Sequence, residues 1–273
     1  MKKTTVFIND LHTGSKYGAM TDVACDADNK VSMSKNQEPL YEHLKMVAKK
    51  WRNPDYIVMN GDLIDGPAKA DKGTTVWTTN VDAQAQDAKR IIKMFGKPKK
   101  YFCIGGTPYH TKESTVNIEE QIARDLGAIM EGNRYCTEAK LINLAPDKTA
   151  NTANERIFHI THHMGATKNW QYRGTAPSKT MATLMLNESH FLERTRKIYG
   201  IIRAHVHHYW QEKSSGRLMQ VLPCYQLQTP FMFKIMPESP PDIGSVRFTI
   251  HDDGTIEDEA EILPIRTGMI KVH

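Results

Sequence analysis

The sequence predicts an α/β domain. Short apolar runs alternate with segments of helical periodicity, which argues for parallel β-α-β units. The runs end in turns rich in Gly, Asp and His. Hydrophobic residues make up 40% of 273 and charged residues 25%, the balance of a folded globular chain.

The elements follow in order. "TTVFIND" reads as a buried strand. Residues 14–35 are polar and irregular. "NQEPLYEHLKMVAKKW" places Leu40, Leu44, Met46, Val47 and Trp51 on one helical face. "DYIVMNGDLID" is a second strand, followed by a loop over 66–79. "NVDAQAQDAKRIIKMF" is a helix with Gly96 as its C-cap. "KYFCIGG" is a third strand, and "ESTVNIEEQIARDLGA" a helix that starts at Glu113 and Ser114. "AKLINLA" and "ERIFHITHH" are strands, and "SKTMATLMLNESHFLERTRKIY" is one long helix. "GIIRAHVHH", "LMQVLPCYQLQ" and a hairpin turning at Asp253-Gly254 complete the chain. No Pro-, Gly- or Ser-rich linker divides it, so residues 1–273 are expected to form a single domain.

Composition narrows the function. No apolar run is long enough to span a bilayer, and Asn9 and Asp10 cut the first one too short for a signal peptide. Four scattered cysteines without CxxC spacing suit reduced thiols and a cytoplasmic setting. A formal charge of +5 permits an anionic substrate without demanding nucleic acid.

The chemistry collects where strands end. The first ends in Asp10 and His12, the second in Asp62 and Asp65. Later ones end in His162 and His163, then in His205, His207 and His208. Carboxyl ends of parallel strands gather on one edge, where sites form. Asp10-x-His12 and His205-x-His207 each point two side chains the same way. Taken singly, each pattern also fits a turn, a cap or a half-buried histidine. Carboxylates with neutral imidazoles suit Mn²⁺, Fe²⁺ or Zn²⁺, and two ions about 3.5–4 Å apart accommodate five or more such ligands.

"DLH", "NGDLID", the histidines of "HITHH" and "AHVH" come in the order of the calcineurin-like metallophosphoesterases, which the chain resembles over residues 10–207. The resemblance implies a four-layer αββα fold, two β-sheets packed as a sandwich and flanked by helices. It also implies two divalent ions, Mn²⁺ favoured and Fe, Zn or Ni as alternatives. Asp10, His12 and His207 would bind the first ion and Asp62 would bridge both. His205 and one of His162 and His163 would bind the second, with the spacing to Gly165 favouring His163. Asp65 would support the ligands. A hydroxide shared by the two ions would attack phosphorus.

Two departures stand out. Ala204 replaces the glycine of the last motif. The third motif, Gly-Asn-His in the family, reads Gly106-Thr107-Pro108-Tyr109-His110 here. Thr107 then stands for the Asn ligand and His110 for the histidine that assists at phosphate. A plain turn around Pro108 is the competing reading. Asn9 and Asn60 read as turn caps. Lys168 and Arg173, among Trp170 and Tyr172, are candidate substrate contacts. The expected partner is a phosphate-ester substrate, with nucleic acid or nucleotide diesters favoured and no membrane. Phosphomonoesters, including phosphoproteins, are the nearest alternative. A non-catalytic scaffold of the same fold is the other, and the lost Asn favours it. A zinc hydrolase of the HExxH type is excluded by the absence of that motif.

Overall fold

The structure is a computed structural model that describes residues 1–113, 116–146, 154–165, 167, 169–190 and 197–264. Its main strands are β1 (Lys2–Ile8), β2 (Tyr56–Asn60), β3 (Lys100–Ile104), β4 (Cys136–Thr137), β5 (Ala139–Asn143), β6 (Ile157–Thr161), β7 (Ile198–Arg203), β8 (Trp210–Ser214), β9 (Arg217–Val221), β10 (Ile243–His251) and β11 (Ile256–Leu263). Its helices are α1 (Glu38–Lys50), α2 (Val81–Met94), α3 (Pro108–Thr111), α4 (Ile118–Leu126), α5 (Thr175–His190) and α6 (Pro230–Ile235).

The strands form two sheets. One is six-stranded, in the order β11-β10-β1-β2-β3-β4; the other is five-stranded, β8-β9-β7-β6-β5. Their facing sides share one apolar core. Phe7, Val58, Ile104 and Phe248 come from the first sheet, and Phe158, Ile160, Ile202 and Leu218 from the second. Both sides of these strands are buried, which is why they read as continuous apolar runs. The other face of the six-stranded sheet packs on α1, α2 and α4 through Leu40, Leu44, Val47, Ile91, Ile92 and Ile122. The outer face of the second sheet meets α5 through Met181, Ile201 and Met219. The layers are therefore helix, sheet, sheet, helix, as expected.

Register decides where the strand ends lie. β1, β2, β3 and β4 run parallel, with Ile8 opposite Met59 and Asn60 opposite Ile104. The segments holding Asp10, Asp62 and Thr107 therefore leave the sheet side by side. In the second sheet β6, β7 and β9 are parallel, with Ile160 opposite Ile202 and Arg203 opposite Val221. That places His162 and His163 beside His205 and His207.

Several boundaries differ from the expected ones. The helix expected from Glu113 begins at Ile118 instead. Asn117 caps it by accepting from the amides of Glu119 and Glu120, and the preceding residues form a small antiparallel ribbon. Side-chain capping wins there because Asn offers the free amides an acceptor. The long helix expected through Tyr199 is described only as far as His190, and Ile198 and Tyr199 belong to β7. Their β-branched and aromatic side chains suit a strand better. "WQEKS" pairs antiparallel with β9, a strand that its polar residues concealed. Gly96 follows the C-cap Phe95 at a φ of 89°, as a helix stop requires.

The loops over 14–24 and 66–79 are knitted together. Lys16 N donates to Thr75 O and Trp77 N to Gly14 O. Gln84 donates to the Gly66 and Thr78 carbonyls. Asp87 accepts from the amide of Thr21 and also binds its hydroxyl. No helix among the described residues is long and apolar enough to cross a membrane.

His159 supplies a pH test of the sandwich. Burial, then the neighbouring Arg203, pushes its pKa down to about 4. Arg203 Nη2 donates to its Nδ1 at 2.9 Å. The unfolded chain takes up this proton near pH 6.5. The folded chain resists it, so stability is full above that pH and falls towards pH 4. His159→Gln keeps an acceptor for Arg203 and removes the titration. Its urea midpoint is expected to fall less steeply between pH 6.5 and 4 than that of the wild type.

Candidate metal centre

The rim is built on unusual backbone. Asp10, His12, Asp62, His205 and His207 all have positive φ, between 45° and 75°. Left-handed backbone costs a residue other than glycine about 1–2 kcal/mol. Its concentration in these motifs turns their side chains into one space. The backbone is tied down by long-range hydrogen bonds. Asp10 N donates to Gly61 O, His12 N to Asp62 O, and Tyr225 N to Asp10 O.

Three groups of Asp and His form there, Asp10-His12-His207, Asp62-His162-His205 and His12-Asp65-His110, the last sharing His12 with the first. In the first, Asp10 Oδ1 lies 3.2 Å from His207 Nε2 and 3.9 Å from His12 Nε2. The two Nε2 atoms are 3.3 Å apart. In the second, Asp62 Oδ2 lies 3.0 Å from His162 Nε2 and 3.9 Å from His205 Nδ1. The clusters adjoin, with His162 Nε2 3.8 Å from Asp10 Oδ1. Asp10, His12, Asp62 and His162 are all at most 2% exposed.

The tautomers are set from behind. His12 Nδ1 meets Asp65 Oδ1 at 2.9 Å, and His162 Nδ1 meets Asn60 O at 2.7 Å. Carboxylates and carbonyls only accept, so each Nδ1 carries hydrogen. In the neutral ring each Nε2 then presents a lone pair to a carboxylate oxygen. Asp10 Oδ1 and His162 Nε2 are both buried and lie 3.8 Å apart. A nitrogen lone pair that faces a carboxylate oxygen is repelled by it unless a proton or a cation lies between. The donor set of carboxylate oxygens and back-bonded imidazoles is that of a divalent metal site.

The electrostatics follow the same logic. Burial raises the Asp10 pKa, but His162 and His207 outweigh it and hold the group at about 2. Asp62 is held well below the carboxylate range despite its burial, chiefly by His162 and His205. His162 is pushed up to about 10, with Asp62 and Asp10 overcoming its burial. His12 is lowered by burial, and so is His163, with help from His162 and His205.

The variant third motif folds as one turn of helix, α3. Thr107 N donates to Asp62 Oδ1 at 2.6 Å and Thr107 Oγ1 to Oδ2 at 3.0 Å. The threonine therefore braces Asp62 by both groups. Its hydroxyl also lies 3.3 Å from His163 Nε2 and from His205 Nδ1. His110 donates from Nδ1 to Asp65 O at 2.8 Å and sits edge-on to His12, ring centres 4.7 Å apart. It stands against the first cluster.

His163 is exposed, its ring 4.8 Å from that of His205, while His162 is the histidine at Asp62. Arg173 is held by Asp242 and Ser239. Lys168 lies outside the described residues. Asn9 donates to Asp10 Oδ2 at 2.6 Å and to Pro223 O, so it orients a carboxylate as well as closing a turn.

Sequence reading missed Glu119, which is fully buried and binds the amides of Leu63 and Gly106. Burial, then the charge of Asp62, pushes its pKa up to about 7. A lone Glu in the first turn of a helix carries no signal that distinguishes it from an ordinary helix-end acid. It also missed Gln226, which donates to Asp65 Oδ1 at 3.1 Å.

No protein-family model matches the chain, and no curated protein matches its sequence. Among solved structures, it is similar to zinc-complexed Vps29 from Entamoeba histolytica. The match is 11% identical and covers 95% of this chain and 98% of that one, with a TM-score of 0.42. It is similar to a predicted phosphoesterase from Streptococcus pneumoniae TIGR4 at 8% identity, covering 96% and 99%, TM-score 0.38. A novel archaeal phosphodiesterase matches at 9%, covering 95% and 99%, TM-score 0.43. These likenesses are too distant to bear on activity. The fold itself is an α/β sandwich layered helix, sheet, sheet, helix, with Asp and His gathered at the strand ends.

The two glycines of the third motif are expected to differ sharply. A Cβ on Gly106 would lie 2.2 Å from Asp62 N and 2.3 Å from Asp62 Oδ1. On Gly105 it would meet only Cys136 Sγ at 3.6 Å and Thr137 O at 3.9 Å. Gly106→Ala should destabilise the protein by about 1–3 kcal/mol in urea unfolding. Gly105→Ala should stay close to wild type.

Proposed function

We propose that the protein is a phosphoesterase that works with two divalent ions. The observation that carries this reading is the pair of back-bonded imidazoles, His12 and His162, whose Nε2 atoms face the buried carboxylates Asp10 and Asp62. Asp10, His12 and His207 would hold one ion. Asp62 would serve both, and His162 and His205 would complete the second. Mn²⁺ is favoured, since carboxylate oxygens with imidazoles and no thiolate suit it. Bound there, two ions would neutralise charge on a phosphoryl group and lower the pKa of an attacking water.

The chain's own residues do the rest. Thr107 and Asn9 fix the two carboxylates. Asp65 and the Asn60 carbonyl keep two imidazoles in the ligating tautomer. His110 donates its Nδ1 hydrogen to Asp65 O; as the imidazolium it would also carry an Nε2 hydrogen to give to a phosphoryl oxygen or to the leaving group. His163, exposed beside Thr107 and His205, faces the same space.

A diester is the favoured substrate, with nucleotides and nucleic acid the class to test first. A small pocket of mixed polarity, lined by Val206, His208, Leu227, Gln228, Met232 and Ser239, lies beside His207. Burial and the nearby Arg173 push His208 down to a pKa of about 4, so it is neutral there at pH 7.

The test is hydrolysis of bis-p-nitrophenyl phosphate and p-nitrophenyl phosphate after chelation and re-addition of Mn²⁺. Turnover is expected only with metal, faster on the diester, and reduced at least about a hundredfold in Asp62→Ala. No turnover of either compound, with no metal found by elemental analysis, would overturn the reading.

A further inference from the structure

We infer that Glu119 is the positioning residue of the second ion site, holding in place the loop from which the family's asparagine is missing. This rests on reading Asp62, His162 and His205 as a divalent-cation site. Glu119 is fully buried in the first turn of α4. Its Oε1 accepts from Leu63 N at 2.9 Å and its Oε2 from Gly106 N at 2.7 Å. Leu63 follows Asp62, and Gly106 precedes Thr107. One carboxylate therefore spans the ends of β2 and β3 at the point where Thr107 grips Asp62 through its amide and hydroxyl. Two converging N–H donors need two acceptors on one rigid group. A carboxylate supplies them; an amide turns one into a donor.

Glu120 provides a matched comparison. It also accepts two backbone hydrogen bonds, from Tyr135 N at 2.8 Å and Cys136 N at 2.7 Å. Those tie α4 to β4 and touch no ligand segment. The two neighbouring acids thus perform the same bonding, one at the site and one beside it.

The experiment compares metal-depleted wild type, Glu119→Gln and Glu120→Gln. Mn²⁺ binding is followed by titration calorimetry, melting temperature by scanning calorimetry, and kcat and KM on bis-p-nitrophenyl phosphate. Wild type is expected to bind two ions. Glu119→Gln should weaken the second by about tenfold or more, the loss typical of a residue that orients ligands, and leave the first within twofold. Its kcat should fall more than its KM rises. Glu120→Gln should lower the melting temperature and keep both affinities. Should Glu119→Gln fail to fold, Glu119→Asp keeps both acceptors on a shorter stem and reads the same second affinity. Wild-type affinities in the Glu119 variants, or an equal loss of the second ion in Glu120→Gln, would overturn the inference. Failure of wild type to bind two ions would overturn the metal reading itself and the inference with it.

Discussion

Two carboxylates, Asp10 and Asp62, sit almost without solvent at the junction of two sheets, facing imidazole nitrogens. Burying such groups costs free energy unless positive charge accompanies them. Much of the rim answers that constraint. Amide and hydroxyl hydrogens from Asn9, Thr107 and His205 point at the carboxylate oxygens. Asp65 and Asn60 take the back hydrogens of the histidines, which directs the Nε2 lone pairs inward. The groups so arranged could hold a metal ion.

The arrangement depends on a rigid frame. Five ligand-type residues hold left-handed backbone, and a loosely supported loop would relax out of it. The core shared by the sheets, with Phe7, Phe158 and Phe248 in contact, keeps the strand ends fixed. Gly61 and Gly106 permit the closest approaches. A Cβ at Gly61 would lie 2.4 Å from His162 Nδ1, and one at Gly106 would strike Asp62. The glycines are thus part of the site although they carry no side chain.

Most strands were legible because burial on both sides leaves unbroken apolar runs. "WQEKS" was not, since an edge strand with exposed residues loses that signature. The helix starts at Ile118 because Asn117 decides it by a side-chain hydrogen bond, while Glu113 is the kind of acid that a helix's first turn carries. At the site, Asp10, His12, Asp62, His205 and His207 were legible as repeated motifs. Thr107 was read as a replacement ligand. The structure adds that it grips Asp62, a contact between residues 45 positions apart that spacing along the chain cannot reveal.

The sequence by itself determined the alternation of strands and helices, the chemistry of the donors and their order along the chain. Those are local properties, written in residue type and period. The tertiary structure decided which histidine of the pair faces Asp62, how Thr107 is used and that Glu119 belongs to the rim. Each of these depends on parallel strand register, which brings Asn60, Ile104 and their following loops side by side. Register is set by packing between sheets, a sum over distant residues, and no short stretch of the chain carries it.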